Sequence, residues 1–203
     1  MFKWVIFTVL FIACGASLPN AVDVHLVSVA GENSLNKAQS LALFSAVQDL
    51  YYQQTGITLV LKRFKYRSDF VAKKCLPLSA ALTVLKKAEH YFAGHGRAPV
   101  RVLLRGPFCD GGKYWLAGYA NGTTCYRYKD NAVAYSTAEL YNQDGEARWQ
   151  HSVVALAHEI GHLLGANHDN DSPVSIMNAA PLPYVDGGIS FSGKSIEQME
   201  ECI

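Results

Sequence analysis

The stretch from His158 to Asp169 constrains this chain more than any other, and it reads HEIGHLLGANHD. Three of the seven histidines fall inside it. His158 and His162 are four positions apart, so on a helix their side chains lie one above the other on the same face. Two imidazoles placed in this way can hold one metal ion through ring nitrogens, and the stretch is predicted to be a metal-binding helix.

The residues around this pair indicate an open, catalytic type of metal site. Gly165 can adopt the left-handed conformation with which helices often end, so the chain can bend and bring His168 back as a third ligand. Three protein ligands leave one position of a tetrahedral zinc ion for water. Glu159 is positioned to take a proton from that water rather than to bind the metal. Zinc is the expected ion, because imidazole suits it and no redox change is needed.

The N-terminal residues 1–17 are predicted to be a secretory signal peptide. Lys3 supplies a positive region, Val5–Ile12 is an apolar run that is short for a membrane span, and small residues follow it. A membrane anchor and a lipidated Cys14 are the alternatives that fit less well. We therefore expect a secreted, extracellular protein whose residues 18–203 form a single domain.

Four cysteines remain after the predicted signal: Cys75, Cys109, Cys125 and Cys202. An even number in a secreted chain makes two disulfides the default, and the sequence alone allows three pairings. Asn121 and Asn170 begin glycosylation acceptor triplets, which matter only in a eukaryotic secretory pathway.

Hydrophobic periodicity predicts strands that alternate with helices. Strands are predicted at Val22–Ala30, Ile57–Tyr66, Val100–Leu104, Tyr114–Ala120 (interrupted by Gly118) and Asn131–Leu140, with a loop around Pro107. Helices are predicted from Asn33 or Ser34 to Gln54, from Pro77 to Phe92, from Asp144 through the histidines, and over Ser195–Cys202. The apolar face of the first helix is predicted to contain Ala38, Leu41, Ala42, Val47, Leu50 and Tyr51. This order favours an α/β (α+β) fold with a largely parallel sheet packed on helices.

The complete spacing from His158 through Gly165 to His168 resembles the metzincin zinc endopeptidases. Met177 follows a short loop later, in the sequence SIMN, which looks like the methionine-containing turn (the Met-turn) beneath the metal in that group. Asp169, directly after the third histidine, is similar to the adamalysin or reprolysin branch, the ADAM type.

Two further segments carry the same resemblance. Gly118–Cys125 is similar to the family's substrate-binding edge strand, and Phe191–Cys202 is similar to its C-terminal end. The resemblance implies a twisted, mostly parallel five-stranded sheet with long helices in an N-terminal subdomain that extends to about residue 168. It also implies a small irregular C-terminal subdomain, about 169–203, that contains the Met-turn.

The family joins the cysteines that Cys125 and Cys202 match. The resemblance therefore implies a Cys125–Cys202 disulfide and leaves Cys75 with Cys109. Closing so long a loop stabilises the fold by roughly 4 kcal/mol in the chain-entropy treatment.

The resemblance also implies a mechanism, which is zinc-assisted hydrolysis of peptide bonds. The ligands are His158, His162 and His168, Glu159 is the general base, and Met177 is an apolar floor. The substrate is expected to add as a strand near Leu116, Ala117 and Gly118, with a side-chain pocket at Pro181 and Leu182. Asp169 is either a residue that orients the ligands or a loop cap. The first strand follows the predicted signal so closely that we expect no family-type inhibitory pro-segment.

Protein or peptide substrates are the partners that this interpretation implies, and we expect a monomer. A net charge of +1 gives no argument for nucleic acid or for an anionic membrane, and no stable membrane insertion is expected. A calcium (Ca2+) requirement stays open, because the sequence carries no signal for it. The alternatives are a catalytically silent binding protein or toxin on the same scaffold, and hydrolysis of a non-protein amide.

Overall fold

The computed structural model describes residues 20–31, 35–72, 92, 100–104, 108–110, 113–116, 118–120, 125, 133–136, 145–179 and 188–203. Several predictions of the sequence lie outside these residues. They are the signal peptide, the second helix (of which only Phe92 is described) and five single residues: Cys75, Ala117, Asn121, Pro181 and Leu182.

The described elements follow one another in this order: β1 (Ala21–Gly31), α1 (Lys37–Thr55), β2 (Thr58–Ala72), β3 (Val100–Leu104), β4 (Phe108–Asp110), β5 (Lys113–Leu116), β6 (Gly118–Ala120), β7 (Val133–Ser136), α2 (Gly145–Leu163) and α3 (Gly193–Cys202). The larger sheet has five strands in the order β2-β1-β3-β7-β6. β1 pairs in parallel with β2 and β3, and β3 pairs in parallel with β7. β6 lies at the edge and is antiparallel to β7. The mixed α/β class that the sequence predicts is confirmed.

One hydrophobic core joins this sheet to α1 and α2. Val24 and Val102 of the sheet, Phe44 of α1 and Leu156 and Ile160 of α2 belong to the same buried cluster, and each has no exposed surface. Burying side chains of this size stabilises the fold by about 1.5–3 kcal/mol each. The core therefore fixes α2, the helix that carries the first two histidines, against the sheet.

The start of α1 differs from the predicted cap at Asn33 or Ser34. Asn36 is the N-cap, and its side-chain oxygen accepts from the amide of Gln39 at 2.9 Å. The Gln39 side chain accepts in turn from the Asn36 amide at 2.9 Å. This reciprocal capping box satisfies two helix-end donors at once, which explains why the helix begins there.

The buried face of α1 was predicted only in part. The structure buries Ser40, Leu43, Phe44, Val47, Tyr51 and Thr55. Val47 and Tyr51 are as predicted, but Ala38 and Ala42 are exposed. The helix turns Leu43 and Phe44 inward because these larger side chains remove more apolar surface from water than alanines do.

The strand predicted at Tyr114–Ala120, with an interruption at Gly118, consists of two separate elements. β5 ends at Leu116 and pairs with β4, whereas β6 begins at Gly118 and pairs with β7 in the larger sheet. Glycine weakens a strand, because it has no side chain to pack and loses more backbone entropy, and Gly118 lies where one strand gives way to the next.

The stretch around Pro107 was predicted to be a loop, yet β4 and β5 form an antiparallel pair there. The residues between the two strands are Gly111 and Gly112 in the sequence. Two glycines between short apolar segments are typical of a tight hairpin, so this signal could have predicted the pair.

A disulfide joins Cys125 to Cys202, with a Cα–Cα distance of 5.3 Å. This is the pairing that the resemblance implies. Cys109 lies in β4, but Cys75 is outside the described residues, so their pairing stays a prediction. Among the helices that the structure describes, none is long and apolar enough to cross a bilayer.

Tyr51 connects α1 to α2 under the histidines. Its hydroxyl donates to the carbonyl oxygen of Ala157 at 2.7 Å, and its ring lies 4.9 Å from the ring of Phe191. Burial, and secondarily the charge of Glu159, raise the pKa of Tyr51 well above its usual value of 10. The hydroxyl therefore stays a hydrogen-bond donor at any working pH.

Replacing Tyr51 by phenylalanine should lower the free energy of unfolding by about 1 kcal/mol, because it removes a buried hydrogen bond while keeping the ring. Denaturant unfolding of the two proteins measures the difference. Tyr52→Phe is the matched control, since Tyr52 is the next residue and is 66% exposed. Equal losses from both substitutions would contradict the role of the Tyr51 hydroxyl.

Candidate metal centre

The turn at the end of α2 brings the third histidine to the first two. Gly165 has a φ of +100°, in the left-handed region. The amide of Ala166 donates to the Gly161 carbonyl at 2.9 Å, and the amide of Gly165 donates to the His162 carbonyl at 3.1 Å. These two bonds define a Schellman motif, which ends a helix and reverses the chain. The bend predicted at Gly165 is confirmed.

The three histidine side chains converge on one point. His162 Nε2 lies 3.0 Å from His158 Nε2 and 3.1 Å from His168 Nε2. All three ligand nitrogens lie within 4.8 Å of one another. His162 is buried, His158 is half-buried and His168 is exposed, so the site opens to solvent on the side of His168.

Two main-chain carbonyls fix the orientation of the first two rings. His158 Nδ1 lies 2.7 Å from the Ile176 carbonyl oxygen, and His162 Nδ1 lies 2.8 Å from the Ala166 carbonyl oxygen. A carbonyl oxygen only accepts, so each Nδ1 carries the proton and donates it. Each Nε2 then presents a lone pair toward the shared point, which is the tautomer that a metal ligand needs.

The same two rings are held uncharged. Burial first, and His158 second, lower the pKa of His162 to about 4. Burial also lowers the pKa of His158. Neutral imidazoles are the form that binds a metal ion, so at neutral pH no proton has to be displaced from either ring.

The donor set fits zinc. The Nε2 lone pairs of His158 and His162 repel each other at 3.0 Å unless a cation lies between them. Zinc–nitrogen bonds of about 2.0–2.1 Å in a tetrahedron place the ligand atoms roughly 3.3 Å apart, close to the observed spacing. His158, His162 and His168 would hold the ion and leave a fourth position open, as in catalytic zinc sites.

Glu159 has an unusual environment for a carboxylic acid. Its side chain is 5% exposed, and within the described part of the chain its Oε2 has no hydrogen-bond partner. Burial raises the pKa of Glu159 to about 8. A buried polar atom without a partner costs stability, so its retention beside a histidine ligand indicates a functional use.

Met177 lies directly under the histidine-bearing helix. Its backbone belongs to a turn in which the amide of Asn178 donates to the Ser175 carbonyl at 3.0 Å, and its side chain has no exposed surface. A Cβ atom added to Gly161 would lie 2.6 Å from Met177 Sδ. The helix and the methionine can approach this closely only because residue 161 is glycine.

Asp169 is buried at 5% exposure, and its amide donates to the Met177 carbonyl at 2.8 Å. The chain after His168 is thereby tied to the Met177 turn through the backbone, and the role of the Asp169 side chain stays a prediction. Of the predicted substrate residues, Leu116 ends β5 and Gly118 begins β6.

Sequence reasoning did not find the carbonyls of Ile176 and Ala166 or the requirement for Gly161. Carbonyl groups carry no residue signature, so nothing in the sequence could have identified them. For Gly161 the sequence did carry a signal. A glycine inside a helix lowers helix stability by about 1 kcal/mol relative to alanine, so its presence there indicates close packing against a neighbour.

The sequence matches a reprolysin-type model of metallo-peptidase family M12 over residues 17–194. The chain belongs to metallo-peptidase family M12. In this family the three-histidine group fits a catalytic zinc site, and the predictions of a metzincin-like zinc metalloprotease and of zinc as the cofactor are confirmed. Among curated proteins, no sequence matches this chain.

Solved structures with a similar fold are also metallopeptidases. Metalloproteinase-II from Bacteroides fragilis has a TM-score of 0.62 and 23% identity, with 93% of this chain and 54% of that chain covered. Archaemetzincin from Methanopyrus kandleri has a TM-score of 0.59 and 16% identity, with 92% and 98% covered. A zinc-dependent peptidase from Methanocorpusculum labreanum has a TM-score of 0.52 and 18% identity, with 87% and 99% covered. This chain therefore spans about half the length of the Bacteroides protein, and at these identities the likeness concerns the fold.

His162→Ala should remove stoichiometric zinc from the purified protein, because two histidines leave the ion underligated. Elemental analysis after dialysis measures the zinc content per chain. His151→Ala is the matched control, since His151 lies on the same helix and is exposed. Retention of full zinc by the His162 variant would refute the ligand assignment.

Gly161→Ala should lower the free energy of unfolding by about 1–3 kcal/mol, because the added methyl group overlaps Met177 in a closed part of the core. Gly193→Ala is the control, since a Cβ there meets nothing within 4 Å. Thermal unfolding of both variants gives the comparison. A Gly161 variant as stable as the Gly193 variant would show that Met177 moves aside freely.

Proposed function

We propose that this protein is a secreted zinc endopeptidase that hydrolyses internal peptide bonds of protein substrates. One observation carries the proposal. The Nε2 atoms of three imidazoles converge on one point, and the next residue after the first of them is a buried carboxylic acid whose Oε2 has no hydrogen-bond partner among the described residues. This combination supplies a Lewis-acid site and a proton carrier side by side.

Zinc held by His158, His162 and His168 would supply a Lewis acid, which would lower the pKa of water toward 7 and polarise the scissile carbonyl. The residues of the chain orient the ligands and carry the proton. The Ile176 and Ala166 carbonyls keep His158 and His162 in the ligating tautomer, so the ligands need no reorganisation when substrate arrives.

Glu159 is the general base and then the general acid in this proposal. Burial raises its pKa to about 8, and a divalent cation held by the neighbouring histidines would favour the ionised form. The ionised carboxylate accepts the proton of the attacking water and afterwards donates it to the leaving amine. Burial shields the Glu159 carboxyl from bulk water, which suits a group that changes its protonation state twice in each cycle.

The substrate chain is proposed to bind along β6. β6 is the outer strand of the larger sheet and pairs with β7 on one side only among the strands that the structure describes. An extended peptide can add to such an edge through main-chain hydrogen bonds, which suits an enzyme that acts on unfolded segments. Gly118 opens this strand, and the pocket at Pro181 and Leu182 remains part of the proposal.

We also propose the finer family architecture. The sheet and the Ser175–Asn178 turn correspond to the metzincin five-stranded sheet and Met-turn, with subdomains that meet near residue 168. The even number of cysteines after the predicted signal supports secretion. A monomer is proposed because the ligands and Glu159 all come from one chain.

Glu159→Gln should lower the rate of casein cleavage by at least about 10²-fold while the protein keeps its zinc, because the amide cannot accept and return the proton. Cleavage assays with and without a chelator, together with elemental analysis, measure both quantities. Glu197→Gln is the control, because Glu197 is exposed on α3.

Two results would contradict this proposal. Undiminished cleavage by the Glu159 variant would exclude Glu159 as the base. Zinc-loaded wild-type protein that cleaves no member of a broad peptide library would favour the silent binding protein, or an amide substrate outside proteins.

A further inference from the structure

The third ligand is held differently from the other two. His168 is exposed and lies beyond the end of α2, and among the described residues no carbonyl oxygen engages its Nδ1. His158 and His162 have both a helix and a carbonyl to orient them. The position of His168 therefore depends on how its backbone is fixed.

The backbone is fixed on both sides of His168. The amide of Asp169, which follows it, donates to the Met177 carbonyl at 2.8 Å. The amide of Asn167, which precedes it, donates to the side-chain oxygen Oε1 of Gln198 at 2.9 Å. The first bond joins two main-chain groups and survives most substitutions. The second depends on one side chain of α3.

We propose that Gln198 is a positioning residue for the zinc ligand His168, so that α3 contributes to the zinc affinity of the site. The inference rests on the zinc site and extends the proposed function to a helix that carries no ligand. The Gln198 oxygen holds the Asn167 amide, and the amide holds the chain in the place where the His168 ring reaches the other two nitrogens.

α3 is anchored firmly enough for this role. Its N-cap Ser192 accepts from the amide of Ser195, and its last residue, Cys202, is joined to Cys125. The helix also packs directly against the turn at the end of α2. A Cβ added to Gly165 would lie 3.2 Å from the Gln198 carbonyl oxygen and 3.5 Å from Cys202 Cβ. The Gln198 side chain therefore starts from a fixed backbone beside the turn that it holds.

The physical consequence is a loss of preorganisation rather than a loss of a ligand. Without the Gln198 oxygen, the exposed Asn167 amide bonds to water, and the segment before His168 gains freedom. Zinc binding must then order this segment, so the affinity falls. Groups that orient metal ligands indirectly typically contribute about 10–100-fold in affinity, and we expect the lower end, roughly tenfold, because Gln198 acts through the backbone.

The experiment measures the dissociation constant of zinc by competition with a chromophoric chelator, using the disulfide-bonded full chain. Gln198→Met keeps the length of the side chain and removes the acceptor, and it should weaken zinc binding roughly tenfold. Gln198→Glu keeps an oxygen acceptor at the same reach and should bind zinc like the wild type. Glu197→Met controls for the helix, because Glu197 is the preceding residue and is exposed.

Two further measurements separate positioning from general stability. The absorption spectrum of the cobalt-substituted protein should change in Gln198→Met and not in Gln198→Glu, because it reports ligand geometry. Denaturant unfolding of the zinc-free proteins should give similar midpoints for the two variants. If Gln198→Met does not fold, Gln198→Asn, which is one methylene too short to reach the amide, takes its place under the same criteria.

Unchanged zinc affinity in Gln198→Met would overturn the inference, and so would an equal loss in Gln198→Met and Gln198→Glu. Neither result bears on peptide cleavage, because zinc affinity is measured without substrate. Conversely, a protein that cleaves nothing but depends on Gln198 for zinc would disprove the proposed function and leave this inference intact.

Discussion

Three imidazole rings whose Nε2 atoms converge on a single point are the constraint on which the rest of this structure depends. Such a group is unfavourable without a cation, because the Nε2 lone pairs of His158 and His162 repel at 3.0 Å. It persists because α2 is packed into the core and because two carbonyls hold the Nδ1 protons of His158 and His162. The fold thus provides neutral, oriented ligands before any ion binds.

The segments around the site each restrict the position of a different part of the chain. The Schellman turn at Gly165 reverses the chain, the Met177 turn supplies a floor and a partner for Asp169, and Tyr51 joins α1 to α2. Glu159 stands apart, since its buried Oε2 has no hydrogen-bond partner among the residues that the structure describes, and this weakens the fold. A local cost of this kind beside well-satisfied neighbours is typical of a functional group, because catalysis needs a carboxylate that the fold does not neutralise.

The sequence predicted the site better than it predicted the sheet, for a physical reason. The spacing of His158 and His162 and the left-handed glycine at 165 depend on helix geometry, which is local and strict. The change of pairing strand between Leu116 and Gly118 depends on which strands are near in space. Gly118 predicts an interruption there, but the sequence could not reveal that the two halves pair with different strands. The buried face of α1 was predicted only in part for a similar reason. Helical spacing alone does not show which of two adjacent rows of side chains packs into the core. The carbonyls that orient the histidines were invisible because every residue has one.

The Cys125–Cys202 disulfide has a consequence for the fate of a damaged molecule. It spans 77 positions and encloses α2, all three ligands and the Met177 turn. A single cut in the backbone anywhere between these two cysteines leaves the two pieces covalently joined, with α3 still tethered beside the turn at Gly165. A nicked molecule therefore stays one covalent species until the disulfide is reduced. The parts of the metal centre remain linked after the chain has been broken.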